Sequence, residues 1–170
     1  MPTAFSKNKN KLETEMQVYD YALNLLTFRD YSANDMLIKL EQKGADRLLA
    51  EKAVAKLKQY DFINEERYAQ RVYEAWLSKR YYGRQHLEAE LHKKHVLEIY
   101  IPLIMEGFTE EEETARAELA CQQFLQKNAR KLKQVDQKLQ AAGVRFMAAR
   151  GFSGRQAYLI LDKLRNRDDG

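Results

Sequence analysis

Apolar residues recur along most of the chain with the spacing of one face of an α-helix. From about residue 15 onward they fall at intervals of three and four, and short polar or glycine-containing breaks separate one periodic stretch from the next. The apolar residues of the first stretch are Met16, Tyr19, Ala22, Leu23, Leu25 and Leu26. This spacing predicts an amphipathic helix that ends near Arg29, followed by further helices of the same kind.

Capping residues predict where several of these helices begin. Ser32, Asn64 and Thr109 each precede a stretch with acidic residues in its first turn, as N-cap residues do. Ser153, with Gln156 three residues later, has the spacing of a capping box, as has Thr109 with its glutamates. The helix starts are therefore predicted from local signals alone.

Other local signals predict where helices stop and which faces are buried. Lys43–Gly44 and Asp61 are predicted breaks, and Pro102 predicts a helix that starts only near that residue, because a proline inside a helix removes a hydrogen bond. The residues predicted to be buried are Met36, Leu37 and Leu40; Leu48, Leu49, Ala53, Val54 and Leu57; Tyr68, Ala69, Val72, Trp76 and Leu77; and Ala115, Leu119, Phe124 and Leu125.

The pattern of the first two helices returns twice. Seven residues of the first copy, Leu25, Leu26, Arg29, Tyr31, Leu37, Leu40 and Lys43, have counterparts 51 residues later, and six of the seven keep their chemical character. The counterparts are Trp76, Leu77, Arg80, Tyr82, Glu88, Leu91 and Lys94, and, 121 residues after the first copy, Phe146, Met147, Arg150, Phe152, Tyr158 and Leu161. Such repetition is typical of stacked helical repeats.

The prediction is an all-α tandem array of three three-helix repeat units, elongated and curved. Residues 15–63 form the first unit, 64–108 the second and 109–165 the third. Residues 1–14 lack an apolar period and are expected to be a flexible basic arm, and residues 166–170 a C-terminal tail.

Composition agrees with this fold and adds a mildly basic character. Glycine (7) and proline (2) are scarce, and the 29 Lys and Arg exceed the 25 Asp and Glu by 4, which favours polyanionic partners. Cys121 is the single cysteine, so no internal disulfide forms, and a reducing cytosol is the expected location. No apolar run reaches the length of a signal peptide or a membrane span, so neither export nor insertion is expected.

Catalytic chemistry has no candidate in the sequence. His86, His92 and His95 fall close together, but no cysteine or carboxylate arrangement completes a tetrahedral metal site around them. No phosphate-binding loop, nucleophile elbow or metalloprotease motif is present. A non-enzymatic protein without metal or cofactor, which acts by binding other macromolecules, is therefore expected.

Basic and aromatic residues that return with the repeat are the candidates for partner contacts. Arg29, Arg80 and Arg150 each end a first helix two positions before an aromatic residue, and an arginine there also satisfies helix carbonyls, so a structural role stays open. The basic patch around the second turn would suit phosphates or carboxylates, or be a solvated face. The predicted partner-binding residues are Arg29, Lys39, Lys43, Arg80, Tyr81, Arg84, Lys93, Lys94, Arg150 and Arg155.

The ordered set of motifs resembles the RecX family, small helical modulators of the RecA recombinase. The resemblance is carried by LLTFRDYS at 25–32, DFINEERYA at 61–69, Arg80 to Gly83, Leu87 to Leu91 and Phe146 to Phe152, and covers most of residues 21–164. The sequence departs from the family at His95, where a glycine-type helix end is usual, and at Pro102. His95 is expected to adopt a turn conformation that glycine adopts more easily, unless the helix runs on.

The resemblance implies a monomeric regulator that lies in the groove of a RecA filament on single-stranded DNA. It implies inhibition of RecA ATP hydrolysis, strand exchange and co-protease activity, and thereby modulation of recombination, DNA repair and the SOS response. Weak, non-specific DNA binding is expected beside it. The alternative is a tandem helix-turn-helix-like DNA-binding protein, whose reading helix would begin at Arg84–Gln85 or, less well, at Arg155–Gln156.

Overall fold

The structure, a computed structural model, describes residues 11–133 and 135–168. Within these ranges the chain forms nine α-helices and one short 3₁₀ helix, Lys131–Lys133. The α-helices are α1 Glu15–Leu26, α2 Ala33–Gln42, α3 Arg47–Gln59, α4 Glu65–Leu77, α5 Arg84–Lys93, α6 Ile101–Gly107, α7 Glu110–Lys127, α8 Gln137–Ala148 and α9 Gly154–Asp168. The prediction of an all-α fold is confirmed.

The chain divides into two compact units, and the division falls inside α4, between Tyr68 and Ala69. The N-terminal unit contains α1, α2 and α3, and the C-terminal unit contains α5 to α9. Helices assigned above to the second and third repeat units thus lie together in the C-terminal unit. The division into three repeats stays a prediction.

Most of the predicted helix starts are confirmed at the level of single hydrogen bonds. Ser32 Oγ accepts from the Asp35 N–H at 3.0 Å, and Asn64 Oδ1 accepts from the Arg67 N–H at 2.9 Å. Thr109 forms a complete capping box with Glu112. Each cap satisfies an N–H group that the first turn of a helix leaves without an intrahelical partner.

The capping box predicted at Ser153 is wrong. Gln156 is only 6% exposed, and its side-chain oxygen is buried without a hydrogen-bond partner, so it does not accept from the Ser153 N–H as a capping box requires. Burial of the Gln156 side chain in the packing of α9 has overridden the local signal. The spacing predicts a helix start correctly, since α9 begins at Gly154.

Both predicted chain ends differ from the structure where it describes them. Leu12 packs against the core of the N-terminal unit, and Thr14 is the N-cap of α1, so these residues belong to the fold and not to the arm predicted over 1–14. Residues 1–10 lie outside the described part of the chain. Helix α9 continues to Asp168, so the tail predicted to start at residue 166 is wrong for 166–168; residues 169–170 are not described.

Four of the described helices are followed by a residue with left-handed backbone, and for α8 this residue is Gly151 with φ 75°. Gly44 has φ 95°, and His95, 51 residues later, has φ 54°, so His95 does adopt the turn conformation in place of glycine. Asp61 has φ 57° after α3, as the predicted break there requires. Pro102 is the second residue of α6, where a missing N–H costs no helical hydrogen bond, and the predicted late start of this helix is confirmed.

The core of the N-terminal unit lies between α1, α2 and α3. Its fully buried side chains are Val18, Ala22, Met36, Leu40, Ala50 and Leu57. Leu48 was predicted to be buried but is 60% exposed, and Met16, which shares the apolar spacing of α1, is 73% exposed. Both stand in the first turn of their helix, where fewer neighbouring side chains are available to cover a residue.

The C-terminal unit buries Trp76 against Phe108, with the two rings edge to face and their centroids 5.4 Å apart. A second cluster packs α7, α8 and α9 together through Ala117, Ala120, Cys121, Phe124, Met147, Phe152, Ile160 and Leu164. Burial of Trp76, Phe124 and Leu125 is confirmed, whereas Ala115 and Leu119 are exposed and their predicted burial is wrong. The buried stripe of α7 runs through Ala117 and Cys121 instead.

Two turns cross at close range in the C-terminal unit. The Gly83 N–H donates to the Arg150 carbonyl and the Gln85 N–H donates to the Gly151 carbonyl, each at 2.9 Å. A Cβ on Gly83 would lie 2.6 Å from Phe152 Cδ1, so the crossing requires glycine there. This contact fixes the turn before α5, which carries much of the predicted basic patch.

Candidate partner-binding surface

The three predicted contact residues of the N-terminal unit lie at the α1–α2 turn and along α2. The Arg29 guanidinium lies 4.0 Å from the ring centroid of Tyr31, and Lys43 Nζ lies 5.6 Å from that of Tyr21. Lys39 is exposed on α2. Stacking occupies the face of a guanidinium but leaves its N–H edge available, so Arg29 can combine packing on Tyr31 with contact to a partner.

The α4–α5 turn and the end of α5 expose a second group of predicted residues. Arg80, Tyr81, Lys93 and Lys94 are all exposed, with Tyr81 at 37%. In the same region, Lys79 Nζ lies 3.3 Å from a Glu90 carboxylate oxygen and is partly neutralised. The side chains of this turn therefore offer positive charge and one aromatic ring to a partner.

Arg84 has an internal role that the sequence did not predict. Its guanidinium donates to the Met105 carbonyl at 2.9 Å and to the Phe108 carbonyl, and Nε lies 3.8 Å from Glu113 Oε2. The buried Glu113 also accepts from the Arg84 N–H at 3.1 Å. Arg84 thus ties α5 to the end of α6 and the start of α7.

Arg150 also has contacts inside the fold, in agreement with the structural role that the sequence left open for an arginine at a helix end. Its guanidinium lies 3.5 Å from the ring centroid of Phe146 and donates to the Phe146 carbonyl at 3.3 Å and to Gln123 Oε1 at 3.4 Å. Burial lowers the pKa of Arg150. Arg155, in contrast, is exposed and forms a surface ion pair of 2.6 Å with Glu110.

Arg116 has a structural role that sequence reasoning missed. It donates to the carbonyls of Leu77 and Lys79 at 3.0 and 2.9 Å, and its guanidinium lies 4.6 Å from the ring centroid of Trp76. It satisfies carbonyls that the end of α4 leaves without helical partners. Burial lowers the pKa of Arg116. No local pattern marks this residue, because its partners lie 37 and 39 positions away.

The two helices that could read bases in the DNA-binding alternative are engaged in the fold. At the start of α5, the Arg84 guanidinium binds internal carbonyls and the Gln85 N–H binds the opposite turn. At the start of α9, Gln156 is buried. Base reading in the major groove requires side chains near a helix N-terminus to be free to reach base edges. One side chain of each pair is thus held by the fold, whereas the side chains of Gln85 and Arg155 are exposed.

His86 is part of the packing around Trp76. The indole N–H of Trp76 donates to His86 Nδ1 at 2.9 Å, and the imidazole lies 4.1 Å from the Tyr82 ring, centroid to centroid. His92 instead lies 3.1 Å from Glu98. In the part of the chain that the structure describes, no group of three or more His, Cys, Asp or Glu side chains is placed to hold a metal ion.

Acidification is expected to weaken the packing of His86. Burial, followed by the charge of Lys79, lowers the pKa of His86 below its usual 6.5, and the neutral ring is the form that accepts from Trp76. The unfolded chain therefore binds the proton more readily, so the contribution is fully present above about pH 6.5 and is lost as the pH falls toward the lower folded pKa. The melting temperature should drop by a few degrees between about pH 7.5 and about pH 5.5.

The control is His86→Asn, which keeps an acceptor near the Nδ1 position but does not titrate. Its melting temperature should depend less on pH than that of the parent, whereas His92→Gln should behave like the parent. An unchanged pH dependence in His86→Asn would assign the acid sensitivity to other groups.

Within the described ranges, no helix combines the length and apolar character that a membrane crossing requires. The candidate surface of the N-terminal unit combines cations with the rings of Tyr21 and Tyr31, and that of the C-terminal unit consists of exposed cations and Tyr81. Such a surface offers a partner positive charge for carboxylates or phosphates.

Comparison with known proteins gives a match in structure and none in sequence. No family model and no curated protein matches the chain. The crystal structure of RecX from Lactobacillus salivarius is similar with a TM-score of 0.75 at 16% identity, over 89% of this chain and 96% of that one. A crystal structure of regulatory protein RecX gives a TM-score of 0.76 at 18% identity, over 87% of this chain and 73% of that one. The resemblance predicted from the sequence is therefore confirmed at the level of structure: the chain has the fold of the RecX proteins.

Proposed function

We propose that this protein binds the RecA nucleoprotein filament and inhibits its ATP hydrolysis, strand exchange and co-protease activity. The observation that carries the proposal is the structural match to two RecX proteins over 87% and 89% of the chain. The motifs shared with the RecX family support it independently of the structure. In this role the protein modulates recombination, DNA repair and the SOS response, acts as a monomer in the cytoplasm, and has no catalytic group of its own.

The proposed contacts are seven cations and one tyrosine. Arg29, Lys39 and Lys43 serve in the N-terminal unit, and Arg80, Tyr81, Lys93, Lys94 and Arg155 in the C-terminal unit. Their side chains form charge-assisted hydrogen bonds with carboxylates of the filament or with phosphates of its DNA. Arg84 and Arg150 support this surface from within, since their guanidinium groups already bind carbonyls and pack on aromatic rings.

Inhibition follows from preferential binding to one state of the filament. A ligand shifts an equilibrium only by its difference in affinity for the two states. A protein held by contacts to filament subunits opposes any cycle of nucleotide hydrolysis that requires those subunits to move. The same bound protein obstructs the access that strand exchange and co-protease substrates need.

Arg80→Glu combined with Lys93→Glu tests these contacts. Both side chains are exposed, so folding should change by less than about 0.5 kcal/mol per substitution. Losing two charge-assisted contacts should raise the concentration needed to inhibit RecA ATP hydrolysis on single-stranded DNA by roughly 10- to 100-fold. Co-sedimentation with filaments should weaken in parallel.

The matched control is Lys52→Glu with Lys56→Glu, which changes the net charge equally on α3, outside the proposed contacts. It should inhibit like the parent. A parent that neither inhibits hydrolysis nor co-sediments with filaments would contradict the proposed function. If the Arg80 and Lys93 variant inhibits as well as the parent, the contact surface lies elsewhere and the function stands.

A further inference from the structure

The connection between α7 and α8 surrounds a cation-rich cavity that none of the predicted contacts includes. The cavity has a volume of about 500 Å³, and its charged lining consists of Arg130, Lys131, Lys133, Lys138 and Asp136. Four cations thus face one carboxylate over a short stretch of chain. The whole molecule carries an excess of 4 positive charges, so this single site concentrates a net charge of 3.

None of the described residues neutralises the charges of these cations. Asp136, the one acidic lining residue, is engaged as the N-cap of α8, where Oδ1 accepts from the Leu139 N–H at 2.7 Å. Among the residues that the structure describes, none of the four cations forms an ion pair, and all four are exposed. Like charges held this close repel one another, and a bound polyanion relieves that repulsion.

The local backbone presents the lysines at fixed positions. Leu132, in the centre of the 3₁₀ helix Lys131–Lys133, packs against the core of α7, α8 and α9, while the lysines on either side are exposed. Before it, Asn128 closes α7 with its side-chain amide, which donates to the Phe124 carbonyl at 2.9 Å. The two lysines are therefore carried by a turn that is anchored at its centre.

We propose that this cavity binds the phosphate backbone of a nucleic-acid strand. Six of its eight described lining residues are charged or polar, and the two apolar ones are the buried Leu139 and the half-buried Ala142. An acidic peptide would have little apolar contact there to fix its side chains, whereas successive phosphates need only spaced cations. Phosphate contacts carry no direct sequence information, so the site reads backbone and not bases.

This inference goes beyond the proposed regulation of RecA and does not depend on it. None of the lining residues belongs to the proposed RecA contacts, and the test uses nucleic acid without RecA. Failure of one proposal therefore leaves the other standing.

The experiment measures fluorescence anisotropy of a labelled thymidine oligomer of about 20 nucleotides, and of a duplex of equal length, with the full chain. The variant combines Lys131→Gln, Lys133→Gln and Lys138→Gln. Removing three phosphate contacts should reduce the slope of log affinity against log salt by roughly 2 for the single strand, which weakens binding by roughly 100-fold at about 0.1 M salt. The matched control combines Lys52→Gln, Lys56→Gln and Lys58→Gln on α3 and should retain the parent affinity and slope.

Equal affinity and slope in the parent and the cavity variant would overturn the proposal, as would an equal loss in the α3 control. A stronger effect on the duplex than on the single strand would still support it and identify the duplex as the form bound. Tighter binding of a polyglutamate of equal length would overturn it in favour of an acidic protein partner. Parent self-association that the cavity variant abolishes, without any oligonucleotide binding, would overturn it in favour of a second copy of the chain.

Discussion

Replacing Trp76 by alanine is expected to lower the free energy of unfolding by about 3–5 kcal/mol. The indole is 1% exposed, packs edge to face on Phe108, lies under the Arg116 guanidinium and donates to His86. Truncation opens a cavity and removes the donor to His86 together with the ring beneath Arg116. The measurement is urea unfolding followed by far-UV circular dichroism.

The control for size and aromatic character is Tyr158→Ala. Tyr158 is 61% exposed, so its removal should cost less than about 0.5 kcal/mol. Because Trp76 lies in the C-terminal unit, the loss should appear in the transition of that unit if the two units unfold separately. A Trp76→Ala protein as stable as the parent would contradict the place of Trp76 in the core.

Gly151→Ala is expected to lower the free energy of unfolding by about 3 kcal/mol or more, because two costs combine. Gly151 has φ 75°, a conformation that costs an L-residue roughly 1–3 kcal/mol when the surroundings enforce it. A Cβ there would also overlap the backbone nitrogen of His86 and lie 2.8 Å from its Cβ. The turn crossing would have to separate, with loss of the hydrogen bond from the Gln85 N–H.

Gly154→Ala is the matched control, since it makes the same substitution three residues later. A Cβ on Gly154 meets nothing within 4 Å, and its φ lies outside the left-handed range. The free energy of unfolding of the Gly154→Ala protein should equal that of the parent or exceed it by up to about 1 kcal/mol, because alanine reduces the conformational entropy of the unfolded chain. Comparable losses in the two variants would show that the crossing does not constrain Gly151.

The sequence predicted the helices and most of their ends because these depend on near neighbours. Ser32 and Thr109 cap the helices that follow them, and Gly44 and Asp61 take the left-handed conformations that end helices. A cap joins residues two or three positions apart, so its signal is contained in the spacing. At Ser153 the same reasoning predicted the helix start correctly and the capping box wrongly.

Burial was predicted less well near helix ends and on the longest helix. Met16, Leu48 and Leu119 are apolar at helical spacing yet exposed. Periodicity shows which residues share a face, but the angular range that is covered depends on how neighbouring helices cross it. On α7 the covered stripe includes the small residues Ala117 and Ala120, which allow close approach of α8 and α9 but add little to a hydrophobic pattern.

Part of the candidate surface followed from the repeat, since Arg80 and Lys94 are repeat counterparts of Arg29 and Lys43 and both are exposed. The repeat could not distinguish Arg84 from these residues. Arginine at the first position of α5 is ordinary in sequence, and its partners Met105 and Phe108 lie 21 and 24 positions away. The cavity at the α7–α8 connection was also missed, because its cations become a site only when the chain folds around them.

The sequence by itself determined the all-α fold, the helix caps, the excess of positive charge and the resemblance to RecX, because each is encoded in local spacing or composition. Only the tertiary structure decided which cations are available to a partner. Arg84, Arg116 and Arg150 have the same side chain as Arg80, but buried carbonyls and aromatic rings at distant positions engage them. An arginine beside unsatisfied carbonyls is held by the fold, and the location of those carbonyls is known only once the helices have packed.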